Sequence, residues 1–248
     1  MGCGCIGPSK DKYSVENLLG EKIHEPKTIK SKYPLSDYVK KVFNLINKVR
    51  SNPSEFVSII ETSSDKYVRE LNGRKIFDNN KIKVSLNEGK TMFEDCANYL
   101  KTLQPMEELN FCDDIVIECP RDEKNIKDIN YFRDKLLKRR EKLGIEAYFK
   151  DSVRIPEISV LLMLVDDSIK NPKKKRLTLL NPKYKLIGIS SSDMNELSFE
   201  KEEDKNIKDL SGNKTNQNDN TNENNNVINN INLTENINKP FCAYFTFK

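Results

Sequence analysis

Histidine is almost missing from this chain: of 248 residues only His24 is one, and it stands near the N-terminus. Six cysteines are present, but no Cys-x-x-Cys pair occurs; Cys3 and Cys5 open the chain, while Cys96, Cys112, Cys119 and Cys242 are scattered. A zinc site built from Cys and His is therefore not expected. The same shortage leaves no Ser-His-Asp or Cys-His arrangement for a core nucleophile, and no Gly-rich phosphate loop is found. Residues 1–30 lack the apolar stretch of a secretory signal, with Lys10, Asp11 and Lys12 where one would begin. No run approaches the roughly 20 apolar residues of a membrane-spanning helix. Charge of one sign is also lacking: a net +4 is too mild to argue for nucleic acid, and none is expected as a partner. These absences make the cytosol the expected compartment, with reduced cysteines and unused sequons at Asn213-Lys214-Thr215 and Asn232-Leu233-Thr234.

What is present begins at the first residues, Met1-Gly2-Cys3-Gly4-Cys5-Ile6. Once Met1 is removed, Gly2 offers the unhindered α-amine that N-myristoylation requires. One myristoyl chain binds a bilayer only marginally, with a partition constant of about 10⁴ M⁻¹; a second acyl chain makes attachment durable. Cys3 and Cys5 stand where a transiently bound chain would present them for palmitoylation. The segment resembles the dual-acylation start of Src-family kinases, with Ile6 where the usual motif has Ser or Thr. Lys10, Lys12, Lys22, Lys27, Lys30 and Lys32 follow, diluted by Glu16, Glu21 and Glu25. Each cation near an anionic leaflet is worth about 1 kcal/mol. The expectation is attachment to the cytoplasmic face of a membrane, with its anionic lipids as partner.

Residues 1–34 read as a flexible tether with one helical turn near Val15–Leu19. From 35 onward the pattern is that of a single domain. Ser36 or Asp37 caps a helix with an apolar face of Val39, Val42, Phe43, Ile46 and Val49. Asn52-Pro53 ends it, and Pro53 opens a second helix bearing Phe56, Ile59 and Ile60. Residues 62–85 read as a loop with a short strand at Ile82–Leu86. A third helix spans Glu88–Leu103, through Met92, Phe93, Cys96, Tyr99, Leu100 and Leu103. Ile115–Cys119 reads as strand or buried helix. A basic helix covers Ile129–Leu143 and stops at Gly144. Ile158–Val165 reads as a buried helix, Lys173–Arg176 as a solvated basic turn, and Leu186–Ile189 and Phe241–Phe247 as strands of one hairpin. Residues 200–239, charged and then asparagine-rich, cannot bury enough surface to offset their ordering entropy and read as a disordered insertion in that hairpin.

Three segments together resemble one family. Val42-Phe43-Asn44-Leu45-Ile46-Asn47-Lys48-Val49-Arg50-Ser51-Asn52-Pro53 is similar to the first helix of CAP domains (cysteine-rich secretory proteins, antigen 5, pathogenesis-related proteins), in the intracellular protist and bacterial branch, with its N-x-x-R-x-N-P signature. Glu88 to Leu109 is similar to the second helix of that branch. Leu164-Val165-Asp166-Asp167-Ser168-Ile169, the basic turn, and Leu180-Asn181-Pro182-Lys183-Tyr184-Lys185-Leu186-Ile187-Gly188 resemble its D-D-G-V, G-H-R and N-P-x-Y-x-x-x-G elements. The resemblance implies an α+β fold: an α-β-α sandwich with a small antiparallel sheet between helical layers. Many members hold a divalent cation on two His and two Glu in a central cleft. Here Lys173-Lys174-Lys175-Arg176 replaces Gly-His-Arg, so Lys175 takes the histidine's place, and the Glu survives as Glu146. No metal and no cofactor are expected. The residues left at the degenerate cleft are Glu146, Asp166, Asp167, Lys175 and Arg176.

Two functions follow. One is a lipid-anchored, non-catalytic CAP-like module serving as a peripheral membrane binding or scaffolding protein with an unidentified protein partner. Some members of the family bind sterols or fatty acids, so the resemblance allows a hydrophobic ligand. The alternative is a membrane-associated hydrolase working through the carboxylates of Asp166, Asp167 or Glu146. More often such an acidic pair caps a helix end or pairs with nearby cations. The bland reading of Lys173–Arg176 is a solvated turn, and its functional reading is a lipid contact.

Overall fold

The computed structural model describes residues 29–193 and 240–248, which belong to one compact unit. Gly2, Cys3 and Cys5, the turn near Val15–Leu19 and the insertion at 200–239 lie outside the described residues. Residues 29–34, within the expected tether, are partly held: the Ser31 hydroxyl and the Lys32 amide donate to the Asp113 carboxylate at 2.6 and 2.8 Å, and Ile29 packs on the core.

The first helix, α1, is Asp37–Ser51, and Ser36 is its N-cap, accepting from the Val39 amide at 3.3 Å. All five expected face residues are buried, joined by Tyr38 and Leu45. Asn52 ends α1, and Pro53 starts a 3-10 turn, Pro53–Phe56, that runs directly into α2, Val57–Tyr67. Here the sequence reading holds only for the short strand expected at Ile82–Leu86, which is seen at Lys83–Ser85. The expected loop is an antiparallel meander of β1 (Val68–Leu71), β2 (Arg74–Asp78) and β3 (Lys83–Ser85). Leu71 faces Arg74 across Asn72-Gly73, both with positive φ (50° and 72°), the two-residue turn that Asn-Gly favours. The apolar alternation is weak because only Val68, Ile76 and Phe77 of these strands are buried.

Helix α3 is Lys90–Thr102, close to its expected span. Residues 103–109 then cross beneath α1 and lead to β4, Asn110–Phe111. The Ile115–Cys119 stretch is neither strand nor helix: a 3-10 turn at Asp113–Ile115 gives way to irregular chain. Its carbonyls are taken by hydroxyls of the neighbouring sheet, Thr246 to Ile115 and Ser190 to Ile117, both at 2.6 Å. Gly188 makes that approach feasible, since a Cβ there would lie 2.7 Å from the Thr246 hydroxyl and 3.0 Å from the Ile115 backbone. After the short α4 (Glu123–Lys127), α5 covers Ile129–Leu143 and is stopped by Gly144 at φ 65°, as expected.

Strand β5, Ala147–Asp151, was not legible; α6, Pro156–Val165, was. The expected solvated turn at Lys173–Arg176 is largely the helix α7, Lys174–Leu179, with Arg176 and Leu179 buried one turn apart. Strands β6 (Leu186–Ser191) and β7 (Ala243–Phe247) form the expected antiparallel pair, Ile187 opposite Phe247 and Ser191 opposite Ala243. The four-stranded sheet has the order β4-β6-β7-β5, with β4 parallel to β6 and the other pairs antiparallel. Ile187, Ile189, Ala243, Phe245 and Phe247 share a core with α1, α2, α3 and α6. Cys242 and Tyr244, on the opposite face, share a smaller core with Ile126 of α4 and with Phe132 and Leu136 of α5. The fold is therefore α+β, with helices on both faces of the sheet.

Two polar side chains of α1 join these parts. Asn47 exchanges both amide hydrogen bonds with the backbone of Leu109, at 2.8 and 3.0 Å. Arg50 is fully buried (0% exposed) and donates to the carbonyls of Glu107, Leu179, Asn181 and Tyr184 at 2.7–3.3 Å. Removing the guanidinium leaves several buried carbonyls unpaired, each costing about 1–3 kcal/mol. Arg50→Met is expected to lose about 3–5 kcal/mol in urea unfolding at unchanged slope, with Arg50→Lys restoring only part, because an ammonium lacks the planar fork. A loss below about 1 kcal/mol for Arg50→Met would show that these bonds do not organise the fold.

Candidate functional site

Four of the five residues expected at a cleft gather where α6 ends and α7 begins; the fifth does not. Glu146 precedes β5, is exposed, and forms an ion pair with Lys183. It lines an open groove of about 780 Å³ with Leu137, Arg140 and Ile145. Asp151 ends the same strand, roughly 16 Å away at about 3.3 Å per residue. No single cleft unites Glu146 with the other four residues.

Asp166 follows α6 in the left-handed region (φ 44°) and is 4% exposed. Its carbonyl accepts from the Lys173 amide at 3.1 Å and its carboxylate from the Lys175 amide at 2.7 Å, so it builds the turn into α7. Burial pushes its carboxyl pKa up, against the pull of the Lys175 amide and ammonium. Asp167 accepts from three successive amides at the start of α3: Asn87 at 3.0 Å, Glu88 at 2.9 Å and Gly89 at 2.8 Å. From 78 residues away it fixes the turn that leads into α3, near the positive end of that helix's dipole.

Lys175 donates its ammonium to Asp151 at 3.0 Å. The other Asp151 oxygen accepts from the Ser159 hydroxyl at 2.8 Å, and Ser159 lies 2.9 Å from the Tyr38 hydroxyl. Ser159 beside Asp151 has the outline of a nucleophile beside a base, but Ser159 is 0% exposed and Tyr38 and Asp151 are buried too. A substrate carbonyl cannot reach it, and no histidine stands between hydroxyl and carboxylate to accept the proton. Burial pushes the Tyr38 phenol well above its ordinary value, so it stays neutral. The row reads as an internal hydrogen-bond network linking α1, β5, α6 and α7.

Arg176, expected on the surface, is 1% exposed. It pairs with Asp95 of α3 and lies over the Tyr99 ring, 5.2 Å from its centroid. Lys173 reaches the same carboxylate at 2.8 Å. Burial works to raise the Asp95 carboxyl, but hydrogen bonds from Lys173 and Arg176 outweigh it and hold the pKa below 3.8. Behind them Cys96 donates to the Leu164 carbonyl at 3.3 Å; burial pushes that thiol up to about 11, so it is protonated at neutral pH. Among the described residues no three His, Cys, Asp or Glu side chains converge as a metal site.

Asp95, Asp151, Ser159 and Tyr38 were not singled out in the sequence. The only signal for them was indirect: four consecutive cations and two acids need counterions somewhere. Comparison with protein-family models, curated proteins and solved structures found no match to this chain.

The Asp95 arrangement has a pH signature. A carboxyl lowered on folding contributes stability above its unfolded value of 3.8 and loses it as pH falls through the lower folded value. Wild type is therefore expected to exceed Asp95→Asn in urea midpoint at about pH 6 and to converge with it towards about pH 2. Parallel curves across that range would remove the pair from the stability account.

Proposed function

We propose that this chain is a lipid-anchored, non-catalytic module of CAP-like architecture that works as a peripheral membrane binding or scaffolding protein. The observation that carries the anchor is the opening Gly2-Cys3-Gly4-Cys5, with one amine and two thiols placed for acylation. It is compatible with the structure, because no helix among the described residues is long and apolar enough to cross a membrane. The partner is the cytoplasmic leaflet with its anionic lipids, together with a protein still to be identified. An α-β-α sandwich of the CAP type is supported by the helices on both faces of the four-stranded sheet. It is supported again by Asn47 and Arg50, two of the four signature positions, which carry bonds between α1 and the segments around it.

The non-catalytic half of the proposal rests on how the charged groups are occupied. Asp167 serves three amides, Asp166 builds a turn, Asp151 holds Lys175 and Ser159, and Glu146 pairs with Lys183 at a distance from all of them. The lysine that replaces a family histidine puts its own ammonium on Asp151, the position of a cation supplied by the chain itself. Lys173 and Arg176 are likewise engaged with Asp95.

Cell fractionation tests the anchor. Wild type is expected with membranes, Gly2→Ala in the cytosol, and the Cys3→Ser/Cys5→Ser form only weakly held. Full membrane retention of Gly2→Ala would sink myristoylation as the anchor. Thermal melts test the metal-free reading. Traces in excess Ca²⁺, Mg²⁺ or Zn²⁺ are expected to superimpose on those in chelator, whereas a bound ion at a hundredfold excess over Kd would add about 2.7 kcal/mol. A rise with one cation that Asp166→Asn abolishes would restore a metal site and the hydrolase with it.

A further inference from the structure

Three of the four described cysteines, scattered along the sequence, come together in the smaller core between the sheet and α5: Cys112, Cys119 and Cys242. Two of these share one spot. Cys119, half-buried, donates its thiol to the Ser190 carbonyl at 3.5 Å and accepts from the Ser190 hydroxyl at 3.4 Å. Ser190 lies opposite Tyr244 in the β6–β7 ladder. Cys242 lies two pairs further on, opposite Ser192, whose amide donates to the Cys242 carbonyl at 2.9 Å. Cys242 and Tyr244 are two residues apart on a strand and so point to the same face. That face is the one Cys119 covers, so the Cys119 thiol, held on Ser190, and the Cys242 side chain lie on one patch of the smaller core. Cys112 is bonded through its amide to the Ile187 carbonyl, three residues back along β6, or about 10 Å at the rise of a strand. It is not a competitor for the pair.

We infer that Cys119 and Cys242 are a redox-active dithiol, closed to an intrachain disulfide by a small hydroperoxide. The two thiols differ in the way such a reaction needs. Cys119 is partly exposed, whereas Cys242 is fully buried, so the oxidant meets Cys119 first. The Cys119 sulfur, as thiolate, attacks the peroxide oxygen; the O–O bond breaks, water or an alcohol leaves, and Cys119 becomes a sulfenic acid. The Cys242 thiolate then attacks that sulfur, hydroxide departs, and the proton released by Cys242 converts it to water. The sum is two thiols and one hydroperoxide giving one disulfide, one alcohol or water, and one further water. The neighbouring Cys119 side chain lowers the Cys242 thiol, with the Lys150 ammonium adding to it, which suits Cys242 as the resolving nucleophile. Burial holds the Cys119 thiol well above its ordinary value, which keeps the resting pair protonated and slows the first step. The bond would lock the start of β7, where the chain re-enters the sheet, to the irregular segment that covers the sheet's second face. This inference stands apart from the membrane reading.

The test uses the full reduced chain treated with equimolar hydrogen peroxide, quenched with iodoacetamide under denaturing conditions and cleaved before aspartate, which separates Cys112 from Cys119. The expected product is a peptide pair joined Cys119 to Cys242 and lighter by two hydrogens, restored to two free thiols by dithiothreitol. In Cys242→Ser the cross-link is expected to vanish and Cys119 to be trapped by dimedone as the sulfenic acid. Cys112→Ser should leave the cross-link yield unchanged. The idea is overturned if wild-type Cys119 and Cys242 both emerge alkylated while other cysteines oxidise. It is overturned equally if Cys119 is joined to Cys112 or to a second chain.

Discussion

A positive charge with no negative partner stands at the centre of this fold. Arg50 is buried completely, and its guanidinium is held by four backbone carbonyls, not by a carboxylate. Burial lowers its pKa, but from so high a starting value that the group remains a cation. Its planar fork reaches two separate stretches at once: Glu107, in the crossing after α3, and Leu179 at the end of α7 with Asn181 and Tyr184 beyond it. Its own carbonyl accepts from the Met106 amide at 2.9 Å. Loops that would otherwise leave polar backbone unpaired in the interior are thereby fixed, and with them the positions of β4 and β6. Asn47, one helical turn earlier, repeats the device on Leu109.

The same economy runs through the charged turn after α6. Each carboxylate there faces backbone amides or an internal cation. Asp167 ties the turn to α3, Asp95 ties α3 to α7, and Asp151 ties α7 to β5 and, through Ser159 and Tyr38, to α1. A catalytic carboxylate needs the opposite arrangement: an exposed oxygen aimed at open space with a shifted proton affinity. Asp166 has a raised pKa, but its carboxylate is turned inward to the Lys175 amide; Asp193, raised likewise by burial, is paired with Arg154. This is the physical ground for placing the proposed function at the lipid anchor and the surface and not at a reaction centre.

The elements that could be read in advance are those whose own residues settle the outcome. Helices α1 and α3 show apolar periodicity and local stops at Asn52-Pro53 and Pro105, α2 follows Pro53, α5 is a basic run stopped by Gly144 and α6 is a continuous apolar run, and their places followed. The β6–β7 pair was visible because Phe241, Ala243, Phe245 and Phe247 alternate with Cys242, Tyr244 and Thr246. Of the meander only its third strand was, since the strands are mostly exposed and alternation fades, although Leu71-Asn72-Gly73-Arg74 carried the turn signal. Strand β5 is a short mixed run, and α7 hides its buried face in a row of four cations. Of the candidate site, the charge-dense residues Asp166, Asp167, Lys175 and Arg176 could be named. Their partners could not, because Asn87, Asp95, Asp151 and Tyr38 come from elements far away in sequence.

The two faces of the sheet therefore carry different chemistry for a physical reason. The larger core is built from long helices, and most of its polar groups, Asn47 and Arg50 foremost, are bound to backbone. The smaller one is covered by α5 and by a segment with no ladder of its own, so side-chain hydroxyls and thiols take over work that a strand's amides would do. Thr246 and Ser190 satisfy the carbonyls of Ile115 and Ile117, and Ser190 also engages Cys119. Packing of this kind brings small polarizable groups close together without fixing them in a covalent frame, and it leaves Cys119 partly open to solvent. The layer that covers the sheet least regularly is in this way also the one where reactive side chains meet.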